Sequence, residues 1–234
     1  MLAIYKREMR AYFISPLGYV FLGVYLLFSG AIFCFSTLYE MTSDVTEYFA
    51  TMLFCFVILL PLLTMKLFSE EKKARTEQLL LTAPVSVFSV VFAKFLAAYT
   101  MFAGAALFSG VYFLCLSAFG NVQGGMLFGN LLAILLIGMA FIAVGVFVSA
   151  ITETQLSAAI LTIGILLGFM LISGLADKIP VAWLRFTLSS LSVFYRYQNF
   201  SHGIFDIAAL IYYLSITALF LALTMRSVDR RRWR

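Results

Sequence analysis

Charge is scarce in this sequence: 12% of its 234 residues are Asp, Glu, Lys or Arg, against about a quarter in an ordinary soluble domain. A water-soluble fold of this size still needs a polar exterior, because folding removes only about 70 to 75% of the unfolded surface. With 63% hydrophobic residues there is too little polar surface to build one, so lipid is the expected solvent. Histidine is nearly absent. The single one, His202, is expected at an outer, interfacial position. Hydrolysis by a serine–histidine pair or a metal needs a placed histidine or paired acidic ligands, so no catalytic or metal site is expected. The apolar runs carry no carboxylate away from their ends, and ion-coupled carriers usually keep such groups inside their spans. A buried proton relay is therefore not expected. There is no G-x-x-x-x-G-K-[ST] phosphate loop, so this chain should hold no cofactor and any ATP must be bound by another. Cysteine numbers three. Cys34, Cys55 and Cys115 all lie in apolar runs, where a thiol behaves as a small hydrophobe, and no disulfide framework is expected.

What is present is a set of long apolar stretches separated by short charged clusters. The net charge of +5 is spread among those clusters rather than gathered on one polar patch, so nucleic acid is not an expected partner. A helix needs about 20 mainly apolar residues to cross the hydrocarbon core. Six stretches qualify, at 17–39, 48–65, 92–119, 126–151, 155–176 and 207–225. Cytoplasmic loops retain positive charge. Thirteen of the 16 Lys and Arg fall in the N-terminal segment, the 66–94 segment and the tail from Arg226, which puts both ends on the cytoplasmic side. The first apolar run lacks a small-x-small cleavage site and reads as a retained helix. Lys66 and Lys94 sit near the cytoplasmic boundary, where their long side chains are expected to snorkel.

Three segments are not simple spans. Residues 1–15 put Leu2, Tyr5, Met9 and Tyr12 on one helical face and Lys6, Arg7 and Arg10 on another. This pattern suits an amphipathic helix in the membrane interface, ended by Pro16. The cytoplasmic loop 69–89 is charged first and then apolar through Leu79, Leu80 and Leu81, with a short helix expected before Pro84. The outer segment 177–206 is rich in Trp183, Phe186, Phe194, Tyr195, Tyr197 and Phe200. It is expected to form short re-entrant helices with aromatics at headgroup depth. Gly164 and Gly168 have a G-x-x-x-G spacing that permits close helix approach, and Pro61 is placed to kink the second span. The fold expected is an all-α integral membrane protein, with residues 1–234 forming one transmembrane domain.

The loop after the second span runs Thr76-Glu77-Gln78-Leu79-Leu80 and then Pro84-Val85-Ser86, and Ala93-Lys94-Phe95 enters the third. This resembles the permease subunits of type-2 ABC exporters. In that family an acidic-basic run, a Thr-x-Glu-x-Leu-Leu-like stretch and a Pro-Val-Ser-like turn precede a Gly-Lys or Ala-Lys pair. The stretch from Asn199 to Asp206 and the tail from Ser227 to Trp233 resemble the branch containing gliding-motility-associated permeases. Arg75 departs from the glycine that many members carry before the threonine.

The resemblance implies a bacterial inner-membrane exporter subunit, paired with a second, identical or different, permease. Each subunit docks a cytoplasmic ATP-binding cassette ATPase, which binds the ATP and Mg. A large extracytoplasmic auxiliary subunit accompanies the same branch. The loop 69–89 then supplies a coupling helix, with Glu70, Glu71, Lys72, Arg75, Thr76, Glu77, Gln78, Leu79, Leu80, Thr82, Pro84 and Val85 in contact with the ATPase. The N-terminal helix becomes the connecting helix. A membrane anchor that tethers an ATPase to an envelope machine without transporting anything is the competing function. An ion-coupled carrier ranks third.

Overall fold

A computed structural model describes residues 1–73, 86–118, 120, 123–176 and 192–232. Among these residues every regular element is helical. The helices are α1 (Leu2–Ile14), α2 (Pro16–Phe33), α3 (Thr46–Thr64), α4 (Lys66–Lys73), α5 (Val87–Leu116), α6 (Gly124–Ile151), α7 (Gln155–Ala176), α8 (Tyr197–Ser201) and α9 (Ile207–Arg232). A π-helical turn, Cys34–Tyr39, prolongs α2. The long helices α2, α3, α5, α6, α7 and α9 are long and apolar enough to cross a membrane.

Burial separates these six into two groups. Of their apolar windows, 61% in α3, 61% in α5 and 67% in α6 is buried, against 22% in α2, 22% in α7 and 28% in α9. Three helices therefore form the core and three present most of their surface outward. The hub is α6, which packs against α3, α4, α5, α7, α8 and α9. Close approach to α3 depends on Gly145, where an added Cβ would lie 2.2 Å from Thr64 Oγ1. Polar groups inside the bundle are paired with one another, as helices in lipid require. Tyr25 and Ser109 (2.9 Å), Ser29 and Tyr48 (2.7 Å), and Ser29 and Ser109 (3.2 Å) link α2, α3 and α5 through buried hydroxyls. Cys34, Cys55 and Cys115 are free thiols. A Cβ added at Gly164 or Gly168 would meet no atom within 4 Å among the described residues, so their spacing joins no helices there.

Several boundaries differ from the sequence expectation. The third span starts at Val87 rather than at 92, because Ser86 caps it: its hydroxyl accepts from the Ser89 amide at 3.3 Å. The loop expected from 69 opens inside α4, which stays helical to Lys73. At the other end of the bundle, Tyr197 and Phe200 are buried and α8 packs on α6. Phe194 lies 6.2 Å from the Phe141 ring. These aromatics fill space within the protein around the buried Asn130 of α6, while Tyr195 is exposed. Tyr197 donates to Asn130 Oδ1, and Asn130 Nδ2 donates to the Ser201 carbonyl at 3.4 Å. Burial keeps the Tyr197 phenol protonated by raising its pKa far above the ordinary range, with nearby Asp44 adding to the effect. Trp183 and Phe186, like the rest of 177–191, lie outside the described residues.

Candidate functional site

The second span does not end cleanly. Pro61 removes one backbone donor within α3, the helix breaks at Met65, and α4 resumes at Lys66. The opening amides of a new helix have no partners within it. Here α6 supplies one. Ser149 Oγ accepts from the Phe68 amide at 3.1 Å and the Ser69 amide at 3.3 Å, and donates to the Met65 carbonyl at 3.1 Å. One buried hydroxyl thus bridges the break. The far end of α4 is also held by α6: Lys72 Nζ donates to the Thr152 carbonyl at 2.8 Å and to the Ala150 carbonyl. These are C-terminal carbonyls of α6, where a cation also meets the negative end of the helix dipole.

Between those two attachments, α4 is joined to α5 and α1 by four charged side chains. Lys94 on α5 is 1% exposed. Its ammonium lies 2.9 Å from Glu71 Oε1 and 3.2 Å from Glu8 Oε1, and it donates to the Leu67 carbonyl at 2.6 Å. An ammonium has three donors and no acceptor, so all three are used. Arg7 closes the circuit, with Nη2 2.7 Å from Glu8 Oε1 and 2.9 Å from Glu71 Oε1. Positive and negative groups alternate around a ring of zero net charge. Arg7 sits on its open side, with 52% of its side chain exposed, and Lys94 on its closed side. Desolvation is the largest influence on the Arg7 guanidinium and lowers its pKa. The two carboxylates outweigh it, so the net shift is upward.

Lys94 does not snorkel. The physical reason is that two carboxylates and a carbonyl replace water more completely than the interface would, while the Phe68 ring lies 5.1 Å from its ammonium. Position makes this affordable. At 30 residues, α5 is about 45 Å long, which exceeds a hydrocarbon core of about 30 Å. Lys94 lies only seven residues from its start, near the polar boundary. Lys66 is likewise directed inward, donating to Ser15 Oγ at 2.8 Å and standing 5.6 Å from the centre of the Tyr12 ring.

The N-terminal helix reaches this ring by packing along α5, with its end tied to α3. Tyr12 is 1% exposed and its hydroxyl donates to the Leu63 carbonyl at 2.9 Å. The chain then turns sharply at Ser15–Pro16. Gly18 permits the turn, since a Cβ there would be 2.3 Å from the Tyr12 carbonyl oxygen. The ring floors a cavity of about 480 Å³ whose rim includes Arg10, Lys66 and Glu70.

Of the residues expected to form the loop contact, Glu70, Glu71 and Lys72 are described. Glu70 is exposed, whereas Glu71 and Lys72 face inward to the ring and to α6. Arg75, Thr76, Glu77, Gln78, Leu79, Leu80, Thr82, Pro84 and Val85 lie outside the described residues. Sequence reasoning missed Arg7, Glu8 and Lys94 as site residues. A signal for Glu8 existed: it stands three residues after Tyr5 and four before Tyr12, on the apolar stripe rather than the basic one. The Ala-Lys pair marked Lys94 only as part of a resemblance, and nothing local pointed to its partners, which are 86 and 23 positions away.

Among the described residues no group of three His, Cys, Asp or Glu is placed to hold a metal ion. His202 is exposed, beside a cavity of about 450 Å³ that Asp44 and Gln123 also line. A search of curated proteins gives no match. Residues 26–231 match the family described as ABC-2 family transporter protein, and six apolar helices agree with that match. The chain belongs to the ABC-2 transporter family and is a multi-pass transmembrane permease of that class.

Proposed function

We propose that this permease is the membrane half of an exporter of the bacterial inner membrane. It pairs with a second permease and is driven by ATP hydrolysis on a separate cassette ATPase docked through the loop 69–89. ATP and Mg belong to that partner. Both termini and the charged ring face the cytoplasm, in line with the distribution of Lys and Arg. The observation that carries this reading is the mounting of α4, the stem of that loop. It is fixed at its start by Ser149, along its length by Lys94 and at its end by Lys72.

A loop that receives force needs a stem that does not bend away from it. Closure of two ATPases then moves the packed spans as rigid bodies between inward and outward arrangements. The sequences from Asn199 to Asp206 and from Ser227 to Trp233 favour the gliding-motility-like branch, in which a large extracytoplasmic subunit joins the complex. The outward apolar faces of α2, α7 and α9 suit contact with lipid and an amphiphilic cargo.

Vesicles that hold the chain, its ATPase and ATP, with a panel of fluorescent amphiphiles, test this directly. ATP-dependent movement of a probe, lost in Leu79→Asp, is the expected result. A bound, active ATPase with no probe moved would favour the anchoring role instead.

A further inference from the structure

We propose that the ring of Arg7, Glu8, Lys94 and Glu71 is a mechanical joint that makes the N-terminal helix, α4 and α5 move as one body, with Lys94 as its positioning residue. Three observations lead there. First, the segment 74–85 departs from α4 at Lys73 and the chain re-enters helix at Val87 in α5. Glu71 and Lys94 therefore stand on its two stems, 2.9 Å apart. The Leu67 carbonyl, one turn before Glu71, meets the same ammonium at 2.6 Å. The stems are joined at two points of α4 through one atom of α5.

Second, the joint takes in a helix that a loop clamp would not need. Glu8 bridges both cations from α1, and Arg7 ties α1 to Glu71. Both residues lie before residue 26, where the family match begins, so this arm of the ring is outside the matched region. The first span follows α1 after a tight turn at Ser15, so displacement of the loop reaches α2 by this route. Third, the ring resists partial opening. A buried charge pair is costly to break because the charge left behind has lost its water. Glu8 Oε1 and Glu71 Oε1 each contact both cations, so withdrawing any one member leaves others unbalanced. A joint of this kind stays closed or comes apart as a whole.

The link to ATP hydrolysis rests on the function proposed above, while the joint itself does not. Lys94→Met alone would strand two carboxylates and disturb folding, so the decisive variant is Arg7→Gln/Glu8→Gln/Lys94→Met/Glu71→Gln, which removes all four charges together. Spin labels at Lys6 and Phe88, and at Lys73 and Phe88, introduced into the full chain with its three native cysteines replaced, report distances across the joint. The parent should give one narrow distribution for each pair. The neutral variant should broaden the Lys6–Phe88 distribution.

In the assembled complex the ATPase should remain bound to that variant. The permease-dependent part of ATP hydrolysis should then be lost. Narrow distributions in the neutral variant would overturn the joint, and broad ones with unchanged hydrolysis would overturn its role in coupling. If the parent chain recruits no ATPase, the proposed function fails and the distances alone decide the joint.

Discussion

A single buried lysine carries much of the order at the charged end of this bundle. Lys94→Met should cost about 3–5 kcal/mol, the range for removing one partner of a buried ion pair. It should lower the thermal midpoint in detergent far more than the fourfold neutral change does. Equal losses in the two variants would mean that the ring adds only packing. Gly145 makes a second residue-level prediction. A methyl group added there meets Thr64 Oγ1 at 2.2 Å and Thr64 Cβ at 2.8 Å, so Gly145→Ala should cost about 1–3 kcal/mol through overpacking. Gly104→Ala, where no atom of the described residues lies within 4 Å, should leave the midpoint unchanged. Nothing in the sequence separates these two glycines, since both sit in apolar helices. Only the packing of α6 on α3 tells them apart.

At the scale of elements, helix ends explain where the sequence was legible and where it was not. The six spans follow from apolar run length, which is local information. Their ends depend on caps such as Ser86, and on the Ser149 bridge, which comes from a helix 80 residues further along the chain. Asp206 is a cap that local sequence does reveal. It accepts from the Ala208 amide at 2.8 Å and the Ala209 amide at 3.3 Å, at the start of α9.

The Asn199 side chain, donating to Asp206 at 2.8 Å, is the main cause holding that carboxyl below the usual carboxylate range, and the two amides add to it. A depressed folded value means that the cap's contribution is present above the unfolded carboxylate pKa of about 3.9. It is lost as pH falls through the lower folded value. Asp206→Ala should cost about 1 kcal/mol near neutrality and flatten the acid limb of a stability profile. An unchanged acid limb would remove Asp206 from the account.

For the whole molecule, composition alone settled the solvent and the class of fold, because 63% hydrophobic content leaves no water-soluble alternative. Composition did not reveal the division of labour between a core of α3, α5 and α6 and an outer set of α2, α7 and α9. All six are uniformly apolar, and lipid gives no amphipathic contrast between buried and exposed faces. Nor did it reveal that four of the charged side chains close into one ring. The central claim is that this end of the bundle receives work from a separate ATPase. ATP hydrolysis by protein purified on the tagged full-length chain, parent beside Leu79→Asp, tests that most directly. Hydrolysis present with the parent and absent with the variant is the predicted result. Contradiction would come from a parent that brings down no ATPase, or from equal hydrolysis with both.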